Sequence, residues 1–398
     1  MIFAAGAVTM FVFMAVVGWL ILQWKSNPAE SGDAVGTRPV GVATETPVPT
    51  SVPPGANDVP PLPKDRLLVS VAENPPLDPC GGSGPSLDVM VMSTAGGDPQ
   101  PLSDDPAREA AVNTTDEEMW ARLSPDRRRF VFYRGPTGKS GEHCRYFVQE
   151  LWIANVDGTG VRKIFSNEQK AAVAREQGWP VDQSLQGHAD WSPDGRHVVM
   201  VLGHAPFLGP IPLLNQGETQ LFNFDVDNGG LQQVTRRRDS QGRGLSSDPS
   251  YTPDGSTIIF IGCPDDQPSC DKTKILSVPA DAEKATRTSV VFDGHDSGAN
   301  DVYVSPDGRS ITWMEPGLLD TNLYVGPFEL GRKVDPDELA LIDAHGGYAN
   351  WTADSRHLIY SRLWLTDRFA LFSNGFDNRV SRRISPAPTS QVFVTPSP

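Results

Sequence analysis

The chain has 398 residues, 38% of them hydrophobic, with 36 prolines, 37 glycines and a formal charge of −15. That is enough apolar material for a full core, and it is too acidic for a generic nucleic-acid binder, which needs a basic face against the phosphates. The basic runs at 127–129, 236–238 and 382–383 read as solvated strand ends, although the 236–238 run, with Arg243, falls in a loop and could meet an anionic partner; no nucleic-acid partner is expected.

Residues 1–24 carry no Asp, Glu, Lys or Arg and end in Trp19, Trp24 and then Lys25, side chains suited to a membrane interface. A cleaved signal peptide would show a basic segment, a shorter apolar region of about 7–15 residues and a small-residue cleavage site. None is clear here, so 1–25 is read as a retained signal-anchor helix. Lys25 taken alone favours a cytoplasmic C-terminal side. The cysteines favour the opposite, and the expectation is a single-pass membrane protein with the rest of the chain extracytoplasmic. Residues 26–58, with TETPVPTSVPPG at their centre, have no amphipathic period and form a Pro/Thr-rich linker.

Variants of one stretch recur from there on: LPKDRLLVSVA from Leu62, LSPDRRRFVFY from Leu123, WSPDGRHVVMV from Trp191, YTPDGSTIIFI from Tyr251, VSPDGRSITWM from Val304 and WTADSRHLIYS from Trp351. In S-P-D-G, proline presets φ, aspartate bonds nearby backbone and glycine takes a positive φ, so each copy predicts a tight β-hairpin. The turn positions Pro63, Pro125, Pro193, Pro253, Pro306 and Ala353 lie 62, 68, 60, 53 and 47 residues apart, a period that suits a propeller and not a helical solenoid. A second hairpin follows each turn, as in ELWIANVDGTGVRKIF from Glu150 and TQLFNFDVDNGGLQQVT from Thr219. Each unit therefore predicts strands a, b, c and d of one four-stranded antiparallel blade. The first unit lacks a strand a; VFVTPSP from Val392 lines up with VYVSPDG from Val302 to supply it and close the ring.

The copies at 191–195, 251–255 and 304–308, and in degenerate form at 123–127 and 351–355, resemble the W-S-P-D-G repeat of TolB-like propellers, periplasmic components of the Tol–Pal envelope system. The resemblance covers about residue 62 to the end. It implies the propeller fold and, for function, docking of envelope lipoproteins, although such propellers also occur in peptidases, lyases and signalling proteins. Arg127 and Ser355 stand where the turn glycine belongs. A positive φ there would cost about 1–2 kcal/mol each, which predicts altered turns at these two positions.

Cys263 and Cys270 bracket one b–c loop, and Cys80 and Cys144 fall in the b–c loops of neighbouring blades. Two disulfides, Cys263–Cys270 and Cys80–Cys144, and an oxidising compartment are expected. No C-x-x-C or partnered histidine spacing supports zinc instead.

Strand order puts the a–b and c–d turns at one end and the longer d–a and b–c connections at the other, a usual layout for a recognition surface. The insertion at 166–188 reads as a small lid beside the channel mouth, with a short helix capped by Ser166 or Asn167 and ended by Gly178. The residues expected on the partner face are Trp179, His188, Asp190, Arg236, Arg237, Asp248, Asp301 and Tyr348. His188, His295 and His345 each precede a strand a. Oligogalacturonate-lyase-like propellers hold a metal with channel histidines, so that resemblance makes these three metal candidates, although their offsets from the turn motif differ. Asp190, Asp248, Asp301 and Asn350 could offer oxygens to Ca²⁺ in an acidic channel, or satisfy backbone donors. Asp225, Asp227 and Gly229 open like a calcium loop, but Arg236 stands where the bidentate glutamate belongs. No G-x-S-x-G elbow occurs, which argues against a serine peptidase. Trp191, Trp313 and Trp351 read as core.

The sequence thus predicts an all-β fold: a six-bladed propeller of four-stranded antiparallel blades over 59–398, behind a transmembrane helix at 1–25. The expected function is non-catalytic binding of a protein or cell-envelope component through the long-loop face, without a cofactor. The alternative is a metal-dependent polysaccharide lyase or hydrolase with a divalent metal in a His-lined channel.

Overall fold

The computed structural model describes residues 58–73, 87–135, 149–205, 207–208, 211–212, 217–236, 244–263, 273–281, 288–292, 298–316, 321–364, 368–375, 381–385 and 390–394. All belong to the larger of two compact units, Val48–Pro398. The expected anchor helix and nearly all of the linker lie outside the described residues, among which no helix is long and apolar enough to cross a membrane. Cys263 is not a free thiol. Cys80, Cys144 and Cys270 lie outside the described residues, so neither expected pairing is seen.

The recurring tetrapeptide folds as its chemistry dictates. The hydroxyls of Ser124, Ser192, Thr252, Ser305 and Thr352 each donate to the aspartate two residues on, at 2.6–2.7 Å. The same carboxylates accept the N–H groups of Arg128, Arg196, Ser256, Arg309 and Arg356 at 3.0–3.1 Å. Gly195, Gly255 and Gly308 hold φ of 69–71°, and Arg127 and Ser355 hold 59° and 60°. The expectation of altered turns at these two residues is corrected, because each side chain gains bonds that offset its strain. The Arg127 guanidinium donates to the carbonyls of Leu62, Pro63 and Arg66 at 2.8–2.9 Å, and Ser355 Oγ accepts the Asp307 N–H at 3.0 Å.

These hairpins assemble into antiparallel sheets. Strands β1 (Arg66–Glu73) and β2 (Asp88–Ser93) begin the first, and α1 (Pro106–Val112) follows. The second holds β3 (Glu117–Leu123), β4 (Arg129–Gly135), β5 (Glu150–Asn155) and β6 (Arg162–Phe165), followed by α2 (Asn167–Gln177). The third holds β7 (Ser184–Trp191), β8 (His197–His204), β11 (Glu218–Asp225) and β12 (Leu231–Gln233), with a two-strand ribbon of β9 (Phe207–Leu208) and β10 (Ile211–Pro212) between. The fourth is β13 (Ser246–Tyr251), β14 (Thr257–Gly262), β15 (Lys274–Pro279) and β16 (Ser289–Phe292). The fifth is β17 (Asn300–Val304), β18 (Ser310–Pro316), β19 (Thr321–Pro327) and β20 (Ala340–Asp343). The sixth is β21 (Gly346–Trp351), β22 (His357–Trp364), β23 (Arg368–Gly375) and β24 (Ser381–Arg383). Finally β25 (Ser390–Val394) returns to pair with β1, Val69 opposite Val394.

The chain is therefore an all-β propeller, with five four-stranded blades among the described residues, and the expected count of six such blades is corrected. The sheet at the chain ends has three strands, in the order β2–β1–β25, and its fourth position is reduced to the single bridge Val91–Gln100. The segment that would form that strand contains Gly96, Gly97, Pro99 and Pro101. Proline removes ladder donors and glycine weakens a strand, so the sheet stops there.

The b strands are buried on both faces because each sheet packs between two others. In β8, Val198, Met200 and Leu202 join the core toward the second sheet, while Val199 and Val201 join the core toward the fourth. In β14, Ile258 and Phe260 face the third sheet, and Ile259 and Ile261 the fifth. This is the period of two in a strand, with both faces apolar; each such side chain contributes about 1.5–3 kcal/mol by burial. Like clusters join the first sheet to the second and to the sixth.

Candidate functional site

The innermost strand of each four-stranded blade is the one that enters the S-P-D-G turn, and all five break register at the same place. The breaks fall between Met119 and Arg122, Gly187 and Ala189, Ser247 and Ser250, Asn300 and Tyr303, and Gly347 and Asn350. At each sits a non-glycine residue with φ between 41° and 53°: Trp120, His188, Asp248, Asp301 and Tyr348. Each stands five residues before its turn position, Pro125, Pro193, Pro253, Pro306 or Ala353. The β-bulge re-aims one side chain per blade. The left-handed region is tolerated by Asp and His but is unusual for bulky Trp and Tyr.

These side chains meet. His188 Nδ1 stands 2.6 Å from Asp248 Oδ1 and 3.7 Å from Asp301 Oδ1, so three different blades converge. Trp120, from a fourth blade, stacks on the His188 ring with centroids 5.1 Å apart. Ser247 Oγ donates to Asp248 Oδ2 at 2.9 Å, which turns Oδ1 toward the imidazole. The contact at Oδ1 is an ion-pair approach and not an aligned hydrogen bond, since that buried oxygen lacks a hydrogen-bond partner. Burial works against charge on His188, but Asp248 and then Asp301 outweigh it and hold the imidazole above its ordinary value. Asp248 is held low despite burial by His188 and Ser247, while burial and the neighbouring Asp248 push Asp301 up.

Two residues closer to each turn lies a second tier: Arg122, Asp190, Ser250, Tyr303 and Asn350. Arg122 donates through Nε to Ala189 O at 3.0 Å and through Nη2 to Tyr303 Oη at 2.5 Å, linking the second sheet to the fifth. Asp190 Oδ2 accepts the Tyr251 N–H at 2.9 Å, and burial pushes its carboxyl up to about 6 against that bond and Arg122. Beneath this tier a cavity of about 220 Å³ opens among Trp191, Tyr251, Trp351 and the turn prolines Pro125, Pro193, Pro253 and Pro306.

The structure thus brings His188, Asp248 and Asp301 together and places Asp190 in the tier below. Tyr348 holds the equivalent bulge of the sixth sheet. Trp179 is corrected: it is buried, donates from Nε1 to Glu218 Oε2 at 3.0 Å and packs edge-on against Phe222. His345 lies exposed on the turn before β21, its N–H on Asp343, and is not among the clustered residues His188, Asp248 and Asp301. Arg236 is exposed just after β12, and Arg237 and His295 lie outside the described residues. Trp191, Trp313 and Trp351 are core residues as expected. Sequence reasoning passed over Trp120, Arg122 and Tyr303, which counting back five or three residues from each turn position would have found.

No protein family and no curated protein matches the sequence. Solved structures share the fold. TolB from Acinetobacter baumannii aligns with a TM-score of 0.55 and 13% identity, over 83% of this chain and 67% of that one. Hydrazine synthase of Kuenenia stuttgartiensis aligns with a TM-score of 0.52 and 12% identity, over 85% of this chain and 47% of that one.

Proposed function

We propose that this chain is a non-catalytic binding module: an extracytoplasmic propeller, tethered by its N-terminal segment, that engages a protein or cell-envelope component at the channel end bearing the bulge tier. One observation carries the reading. All five four-stranded blades hold a non-glycine residue in the left-handed region at the same register, at a cost of about 1–2 kcal/mol each. A strand that only packed would shed that strain, so its repetition points to a use for the five side chains. The b–c and d–a connections leave from this same end, while the opposite end carries tight turns, so an incoming partner meets both the tier and the loops. The disulfides Cys263–Cys270 and Cys80–Cys144 belong to the same extracytoplasmic reading. The alternative lyase or hydrolase rests on three histidines: His188 stands with Asp248 and Asp301, His345 lies on an exposed turn, and His295 is outside the described residues.

The test is capture from a cell-envelope fraction with the full chain and with a Tyr348→Ser, Arg236→Glu double variant. The expected result is one partner held by the parent chain and lost by the variant at unchanged melting temperature. Equal capture by both would refute the role of this end.

A further inference from the structure

We propose that His188, Asp248 and Asp301 form a binding site for one divalent first-row transition ion of the Mn²⁺ or Zn²⁺ class. The site does not depend on which partner the propeller binds. His188 Nδ1, an Asp248 oxygen and an Asp301 oxygen all lie within 4.8 Å of one another. A tetrahedral ion with bonds of about 2.1 Å places its donors about 3.4 Å apart. The two separations at His188 Nδ1, 2.6 and 3.7 Å, bracket that edge, and the third, between the carboxylate oxygens, lies within 4.8 Å.

The donors are built in rather than incidental. Asp248 and Asp301 are 8% and 7% exposed as side chains, and Asp248 Oδ1 is buried with no hydrogen-bond partner while it faces the imidazole. The off-axis approach of the imidazole at 2.6 Å offsets only part of the cost of burying that oxygen. Supporting contacts of the kind that orient ligands are present: Ser247 fixes the other Asp248 oxygen, and Trp120 fixes the plane of the His188 ring. His188 remains 29% exposed, which leaves an open coordination position toward the channel for water or a partner's donor atom. One imidazole with two carboxylates suits Mn²⁺ or Zn²⁺; Ca²⁺ takes six to eight oxygens, and this set offers too few.

The full chain, stripped with a chelator, is titrated with Mn²⁺, Zn²⁺ and Ca²⁺ by calorimetry. One equivalent of Mn²⁺ or Zn²⁺ should bind, His188→Ala and Asp248→Asn should each weaken it roughly tenfold or more, and His345→Ala should leave it unchanged. Pulsed EPR of Mn²⁺ on the unmutated chain should show coupling to one imidazole nitrogen, a readout that holds even if a variant folds poorly. Absence of saturable Mn²⁺ and Zn²⁺ binding, affinity untouched by His188→Ala, no nitrogen coupling, or equal affinity for Ca²⁺ would each overturn the assignment. Partner capture through Tyr348 and Arg236 is scored separately and does not depend on this result.

Discussion

Arg127 shows how a single side chain can hold a position its backbone disfavours. Its φ of 59° calls for glycine, yet its guanidinium satisfies three carbonyls, those of Leu62 and Pro63 before the first sheet and of Arg66 at its start. Arg127→Ala keeps the strain and loses the bonds, so it should cost about 3 kcal/mol or more in urea unfolding. Arg127→Gly loses the same bonds but relieves the strain, and should be the milder variant by about 1 kcal/mol. Glu118 gives a pH signature. It is buried on β3, accepts Arg134 Nε at 2.9 Å and Thr114 Oγ1 at 2.8 Å, and burial lifts it from 4.5 to about 7. An acid raised in the folded state keeps its proton where the unfolded chain has lost it. Stability is therefore unaffected by this group below about pH 4.5 and falls as pH rises toward 7, by on the order of 3 kcal/mol at most. Unfolding curves at pH 5 and pH 8 should differ less in Glu118→Gln than in the parent chain. Residue identity at this scale was only partly legible. The turn aspartates announced themselves, but the bonds from Arg127 to the first sheet depend on residues more than sixty positions away.

At the scale of elements, α2 was readable from its ends. Ser166 accepts the Gln169 N–H, Gln169 returns a bond to the Ser166 N–H, and Gly178 closes the helix at φ 73°. Its destination was not readable, because its apolar content is low and only Val173 and Ala174, with Trp179 beyond, enter the core. Ser166→Ala should lower stability by about 1 kcal/mol, seen as a lower melting temperature. β25 carries a larger consequence. It supplies the innermost strand of the first sheet and neighbours both β21 and β3, so it closes the ring. A chain ending at residue 389 leaves the β1 edge unpaired, and an open edge templates association. Size-exclusion chromatography should show oligomers where the full chain runs as one species, together with a lower melting temperature.

For the whole molecule, the repeat was legible because a tight turn needs the same few residue types wherever it occurs. The channel was not, because a bulge is set by register and by the neighbouring strand, and its five residues here are of four different types. Trp, His, Asp, Asp and Tyr at one register share no pattern of hydrophobicity, and the packing of neighbouring blades is what makes the first four meet. The fourth strand expected in the first sheet fails for a local reason, the Gly- and Pro-rich run after β2. The strand order gives the sheets two unlike ends: the S-P-D-G turns and a small cavity lie at one, and the b–c and d–a connections leave from the other. The most direct test of that polarity is site-specific photo-crosslinking of the full chain in a cell envelope, with the reactive side chain placed at Tyr348 or, on the opposite end, at exposed Asp307. A discrete partner adduct from position 348 and none from 307 is the predicted result; adducts from 307 alone, or equally from both, would contradict it.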